Sequence, residues 1–385
     1  MTRSGPLFLR NLLRWSLCLW LTLGAQAVAG RPLAPAGSEG SSGPNRSTVT
    51  RRVAAMGTTL DLTVEARSRS AALRASEAAL RAVEAARDRL STWRSGSELA
   101  RINAAPAGVP AQLSPALERD LRTALLWAHR TGGAFSPTVG ALARAWGLRS
   151  GPGAPLVRAR AAAREGSIEI RGHAVIRATS DVLVDAGGFG KGVALDDAAR
   201  AALASGAASI VLDFGGQVLA AGDVRPVLVR VADPDRRDVG VLELRPDRGS
   251  LATSGNSERA VRAGGRRIGH ILDPRTGRPA RDFGSVTVWA GTATAADCLS
   301  TALYVLGPRD GLSWAERHSG VEALYLVREG RRRGVLATDG MRRMMWSRAD
   351  HVSVAARKGI QTTSPRFGRS PPRIDPSEGK EFTTQ

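Results

Sequence analysis

Between Arg51 and Thr338, strand-like and helix-like periods follow one another without strict alternation. A doubly wound parallel sheet needs strand and helix in regular turn, so the pattern favours an α+β fold. Arg51–Ala66 alternates as a strand, interrupted at Met56-Gly57-Thr58. Ser70–Thr92 carries apolar residues at helical spacing, among them Leu73, Leu80, Val83 and Leu90. Ser97–Asn103 reads as a short helical turn. Ser114 and Pro115 cap and open a helix that runs to His129 and stops at Thr131-Gly132-Gly133. Residues 149–165, rich in Gly, Pro and Arg, read as an exposed excursion, with short strands near Ser167–Arg171 and Val175–Ala178 after it. Val182–Asp185 reads as a strand feeding a glycine-rich loop, Gly187–Gly192, and then a helix over Ala194–Ala204. Further strands are expected at Ser209–Phe214, Val227–Val231, Val239–Leu244 and Val286–Ala290. An apolar helix spans Ala295–Leu306 and ends at Gly307. A last strand pair covers Val321–Val327 and Gly334–Thr338.

The folded part is therefore placed at 49–350 as one large domain. Its flanks differ in kind. Residues 1–29 have the pattern of an export signal: Arg3, Arg10 and Arg14, an apolar run from Trp15 to Leu23, then small residues with cuts expected after Ala27 or Ala29. An uncleaved anchor is the alternative, although the run is short for a span of about 20 residues. The expected location is periplasmic or otherwise extracytoplasmic. Residues 30–48 are rich in Pro, Gly and Ser and read as a flexible linker. Residues 351–385 lack an apolar period and read as a disordered basic tail. Two cysteines exclude a disulfide scaffold and a Cys-rich zinc site.

The chain has 55 basic and 35 acidic residues, a net charge of +20. Nearly all the cations are arginine, scattered singly rather than clustered with aromatics, which argues against nucleic-acid binding. Genome bias explains such a composition; a surface attracted to anions, a membrane surface included, is the sharper reading.

Three segments carry chemistry. The first is the loop after Asp185. A strand, a glycine-rich loop and a helix start bring bare backbone against phosphate. The spacing matches neither the dinucleotide fingerprint nor the P-loop. Lys191 sharpens the signal, because the other lysines of the chain, Lys358 and Lys380, lie far downstream. A compact ammonium suits a phosphate. A surface lysine at a helix start is the plainer alternative. The second segment, Leu251–Arg259 with His270–Gly277, gathers His, Asp, Arg and Thr around a Pro–Gly turn. It reads either as a capped turn or as a site with His270 as acid or base. In the third, Asp297 and Thr301 share one face of an otherwise apolar helix. A buried carboxylate needs a partner, and a hard cation such as Mg²⁺ or Ca²⁺ would satisfy both oxygens. Helix-start capping would also explain the pair.

Taken together these segments resemble the ApbE family, the FAD:protein FMN transferases. The resemblance runs in order through Met56-Gly57-Thr58, Ser91-Thr92-Trp93 with Ser97–Asn103, Gly133–Thr138 with Trp146-Gly147, Asp185–Asp196, Asp213–Gln217, Thr253–Arg259, His270–Pro279 and Asp297–Thr301. It implies an exported enzyme that splits the FAD pyrophosphate, joins FMN to a Ser or Thr of an acceptor flavoprotein such as a membrane redox subunit, and releases AMP. By resemblance Met56, Trp93, Ala134, Phe135, Ser136, Asp185, Lys191 and Ile271 line the FAD site. Mg²⁺ falls to the Gly188 carbonyl, Asp297 and Thr301, and proton handling to His270. The chain departs from the family pattern at Ser136 and Gln217, where acids are common, at Trp93, where Tyr is usual, and at Phe189-Gly190. A flavin-binding or FAD-hydrolysing protein that modifies nothing is the alternative that Ser136 and Gln217 keep open.

Overall fold

A computed structural model describes residues 46–256, 260–263, 266–330 and 332–354. Residues 1–45, which cover the expected export signal and most of the expected linker, and residues 355–385 of the expected tail lie outside the described residues. Nine strands follow the chain directly across one sheet: β1 (Ser47–Ala55), β2 (Thr58–Ala66), β3 (Ala207–Phe214), β4 (Gln217–Gly222), β5 (Gly249–Gly255), β6 (Gly284–Ala290), β7 (Val321–Glu329), β8 (Arg332–Ala337) and β9 (Val352–Val354). Neighbours are antiparallel except β8 and β9. The α+β expectation holds in a single large domain.

Both ends of that domain lie beyond the expected limits of 49 and 350. Ser47 pairs with Ala66, and Val352 pairs with Arg333. A three-residue edge strand anchored by one buried side chain, Val352, leaves no period to read in a tail-like sequence.

Helices α1 (Arg69–Leu90), α2 (Glu98–Ala104), α3 (Pro115–Arg130), α4 (Gly140–Ala145), α5 (Leu156–Ala162), α6 (Gly190–Ala204), α7 (Ala293–Glu316) and α8 (Asp339–Met344) complete the fold. Ser68, Ser97 and Ser114 each accept a backbone N–H at a helix start, the arrangement that favours serine there. Gly307, at φ 81°, breaks α7, and Pro308 opens its second segment.

Helices α1 and α6 bury alanine-rich faces against β2 and β3, where Leu60, Leu62, Ile210, Leu212 and Phe214 are inaccessible. Helix α7 covers β5–β7 through Leu299, Leu303, Val286 and Val288. The opposite face of the sheet is closed by a three-stranded layer, Val229–Ala232, Gly240–Leu244 and Met345–Arg348. Burial on both faces explains why Ala323–Leu326 is a continuous apolar run.

Three local expectations are corrected. Val182–Asp185 is not a strand of any sheet; it contributes a single parallel bridge, Leu183 to Val139. It is apolar because Val182 and Val184 sit in the core of the α2–α5 insertion. The 149–165 excursion contains α5, whose buried side, Ala159, Ala162 and the following Ala163, is too small to show a period. The interrupted strand at Met56 is a hairpin, with Met56 and Gly57 as its two turn residues at φ 46° and 79°.

Candidate active site

The site is assembled where the first turns of α6 and α7 meet. A 3₁₀ turn, Ala186–Gly188, follows Asp185 and leads into α6 at Gly190. Helix α6 has no side-chain cap of its own. Asp297 of α7 fills that role: its Oδ2 accepts the Gly192 N–H at 3.0 Å. The relation is reciprocal, since Asp196 of α6 accepts from the N–H groups of Ala293 and Thr294 at the start of α7, each at 2.8 Å. Burial pushes the Asp196 carboxyl up, against the pull of these bonds. Each helix start therefore receives a carboxylate from the other, which favours both dipoles.

Gly192 permits this approach. A Cβ there would fall on the Ala293 carbonyl and lie 2.6 Å from the Thr294 Cα. Both neighbours are backbone and cannot step aside. Gly192→Ala is expected to force α6 and α7 apart and lower stability by about 2 kcal/mol or more, measured by chemical denaturation; an unchanged midpoint would contradict this packing.

Asp297 is only 4% exposed. The sequence calls for a cationic partner beside it, and one is supplied within the chain: Lys191 places its Nζ 3.5 Å from Oδ1. Sequence reasoning found both residues but not their pairing. At that length the ammonium keeps donors for an anion, and Oδ1 stays open to a cation. The Thr301 hydroxyl, one turn on, makes no hydrogen bond among the described residues, whereas the neighbouring Ser300 hydroxyl donates to the Asp297 carbonyl at 3.0 Å. Gly188 lies against Thr301: a Cβ on Gly188 would be 3.3 Å from Thr301 Oγ1 and 3.1 Å from Phe135 Cε2. Met56 reaches the same place from the β1–β2 turn, its methyl 3.6 Å from where a Gly190 Cβ would sit. Met56 is the one non-glycine residue with positive φ among the described residues, a conformation that costs about 1 kcal/mol or more and gathers at functional sites.

Cys298, beside Asp297, is fully buried, and burial with the adjacent charge pushes its thiol well up. It is therefore not a nucleophile.

At the other end of the loop, Asp185 Oδ1 accepts the Gly187 N–H at 2.7 Å. Arg149 holds both Asp185 oxygens, Nε to Oδ2 at 2.7 Å and Nη2 to Oδ1 at 3.1 Å. Its guanidinium lies 5.3 Å from the Trp93 ring centroid, and the hydrogen bond to Asp185 pushes its pKa further up. Trp93 is 67% exposed. Arg149 escaped the sequence reading because it falls in the segment taken for an excursion.

The remaining candidates are placed differently. Ala134 is fully buried. Ser136 uses its hydroxyl internally, donating to the Ala163 carbonyl at 2.8 Å and accepting from the Thr138 N–H. With Gly133, Phe135 and Arg275 it lines a cavity of about 230 Å³. Gln217 is buried and donates to the Ala293 carbonyl at 2.8 Å, bracing the start of α7. His270 is half-buried at the end of the Arg266–Gly269 strand, and Ile271 is buried in the core beneath α7. Asp273 serves its own turn, accepting the Arg275 N–H at 2.9 Å. Ser257, Glu258 and Arg259 lie outside the described residues.

Metal chemistry is constrained by the donors. Among the described residues no three His, Cys, Asp or Glu side chains converge. One carboxylate, one hydroxyl and loop backbone are oxygen donors only, which excludes a zinc or copper preference. They fit Mg²⁺, which is commonly held by one or two carboxylates and completed by substrate phosphates.

The fold is shared with proteins of a known family. The ApbE family model matches residues 56–325, and the chain belongs to the ApbE family. A protein of Rhodobacter capsulatus named FAD:protein FMN transferase is 36% identical over 262 residues, 65% of this chain and 49% of its own length. The chain thus spans about half of that relative. A Treponema pallidum protein of the same name is 31% identical over 269 residues, 63% of this chain and 74% of its own. Among solved structures, the ApbE protein of Thermotoga maritima superposes with a TM-score of 0.71 at 27% identity, covering 78% of this chain and all of that one. The flavin transferase ApbE of Vibrio cholerae gives 0.66 at 26%, covering 78% and 99%.

Proposed function

We propose that this protein is an FAD:protein FMN transferase that cleaves the FAD pyrophosphate and joins FMN to a Ser or Thr hydroxyl of an acceptor flavoprotein, releasing AMP. The observation that carries the reading is the meeting of Asp297, Lys191, Thr301 and Gly188 at the start of α6. It combines a helix N-terminus, an ammonium and oxygen donors for a metal in one place.

The pyrophosphate lies against the loop backbone and Lys191, whose charge offsets the charge that develops as the bond to AMP breaks. The acceptor hydroxyl oxygen forms the new bond to the FMN phosphorus, its proton passes to His270, and AMP leaves with the electrons of the broken P–O bond. Asp297, Thr301 and the Gly188 carbonyl are the residues that would hold Mg²⁺, which supplies Lewis-acid polarisation of the pyrophosphate when bound. Met56 and Trp93 supply walls for the flavin end. Ser136 and Gln217, where the family often has acids, form internal hydrogen bonds. The Arg-flanked apolar run at the N-terminus supports an extracytoplasmic site of action, and a membrane redox subunit suits that location as acceptor.

Incubation with FAD, Mg²⁺ and a purified candidate acceptor is expected to give acceptor fluorescence that survives a denaturing gel. Free FMN without protein-bound flavin would replace the transferase by a hydrolase. Trp93→Ala is expected to weaken FAD binding by on the order of 1 kcal/mol, read by flavin fluorescence titration, with the fold unaffected because the ring is exposed. An unchanged dissociation constant would remove Trp93 from the flavin site.

A further inference from the structure

Asp185 falls in the FAD site by resemblance, yet both its oxygens are engaged within the chain, and its charge presents a difficulty for any anion at this loop. Its carboxylate accepts the Gly187 N–H at 2.7 Å, three residues before α6 begins at Gly190. A negative charge at the entrance of a loop built for phosphate repels the ligand that the helix start and Lys191 attract. Removing the carboxylate would free the Gly187 N–H and loosen the turn.

Arg149 resolves the conflict. It covers both carboxylate oxygens. A Cβ on Gly187 would lie 3.2 Å from Arg149 Nη2, so the guanidinium also lies over the loop backbone. Its side chain is one quarter exposed, while that of Asp185 is nearly buried. The charge that the loop presents to solvent there is therefore that of the arginine. The same guanidinium, fixed by two bonds, lies over the Trp93 ring with its carbon 5.3 Å from the centroid, and the ring is largely exposed.

We propose that Arg149 is a positioning and specificity-determining residue: it masks Asp185 so that a pyrophosphate can lie on the loop, and its contact with the Trp93 ring steadies the adjoining flavin wall. This rests on the transferase reading for the identity of the ligand. The masking role requires that Arg149 favour FAD, with its charged bridge, over riboflavin, which has none.

The test measures dissociation constants of the full chain for FAD and for riboflavin by fluorescence titration. Arg149→Gln is expected to weaken FAD binding about tenfold or more, the effect of uncovering one member of a desolvated charge pair, and riboflavin binding much less. Adding Asp185→Asn, which keeps an oxygen for the Gly187 N–H, is expected to restore most of the FAD affinity. Arg149→Lys retains the charge and is expected to keep FAD binding well above Arg149→Gln, which covers the case in which the glutamine variant does not fold. Equal losses for FAD and riboflavin, no recovery in the double variant, or a lysine variant as weak as the glutamine one would each overturn the masking role. Unchanged FAD binding in Arg149→Gln would overturn it too. A parental protein that binds no FAD would refute the transferase reading itself and this inference with it.

Discussion

Replacing Asp297 by alanine is expected to lower FMN transfer about a thousandfold or more, the scale on which a preorganised electrostatic group acts at a reacting centre. The variant should still fold. It loses the cap on α6, worth about 1 kcal/mol, while the core under α7 is untouched. Asp297→Asn separates the two roles: its remaining oxygen can accept the Gly192 N–H, so stability should return, whereas transfer should stay low because the charge is gone. The readouts are the rate of protein-bound flavin formation and the thermal midpoint. Parental transfer by the alanine variant, or parental transfer in chelator, would defeat the metal mechanism. Recovery of transfer in the asparagine variant would reduce Asp297 to a cap.

The largest effect on stability is expected at Arg89. It donates to Asp120 at 2.8 Å and to Asp197 at 2.9 Å, joining α1, α3 and α6. Asp120 is 2% exposed, and burial pushes its carboxyl up against the pull of Arg89 and Arg119. Arg89→Ala leaves that carboxylate buried with only Arg119 beside it, a loss of about 3–5 kcal/mol. The sign with pH follows. In the variant the folded-state pKa of Asp120 rises further above its unfolded value, so protonation favours the folded state and its stability falls as pH rises through the carboxylate range. Urea unfolding should therefore show the gap to the parent narrowing as pH is lowered. A loss below about 1 kcal/mol, the range of exposed pairs, would mean that Arg119 suffices.

Local signals were legible where one residue type has one physical use. Ser114 with Pro115 marked the start of α3, and the Leu and Val spacing over 73–90 marked α1. The glycine loop, Lys191, Asp297 and Thr301 were visible as chemistry. What could not be read was how they meet. Asp297 takes the Gly192 N–H across more than a hundred residues, and no local pattern records that bond. An apolar helix with one acid calls for a cation beside Asp297, but nothing local says that Lys191, from another helix, stands there. Trp93 could have been a core residue; only the fold shows it exposed. Helix α5 and the tie from Arg149 to Asp185 were hidden because arginine-rich, glycine-flanked sequence looks the same whether it is loop or scaffold. Strands β4 and β5 were missed since their buried stretches, Gln217–Ala220 and Ser250–Ala252, are continuous short runs that show no period of two.

The order of the sheet has a consequence for how the molecule forms. Most neighbouring strands are close in sequence, but β2 must find β3 across the whole helical insertion, with Leu62 opposite Leu212. Closing so long a loop is entropically slow, and its reward comes only after the closure. The meander from β5 to β8 has shorter closures and is expected to form first, bringing α7 and Asp297 with it. The β1–β2 hairpin then docks late, carrying Met56 in its strained turn. A folding intermediate with α6 and α7 already joined would thus possess the phosphate-binding half of the pocket while lacking one wall of the flavin half, and ligand present during folding would act on that final docking step.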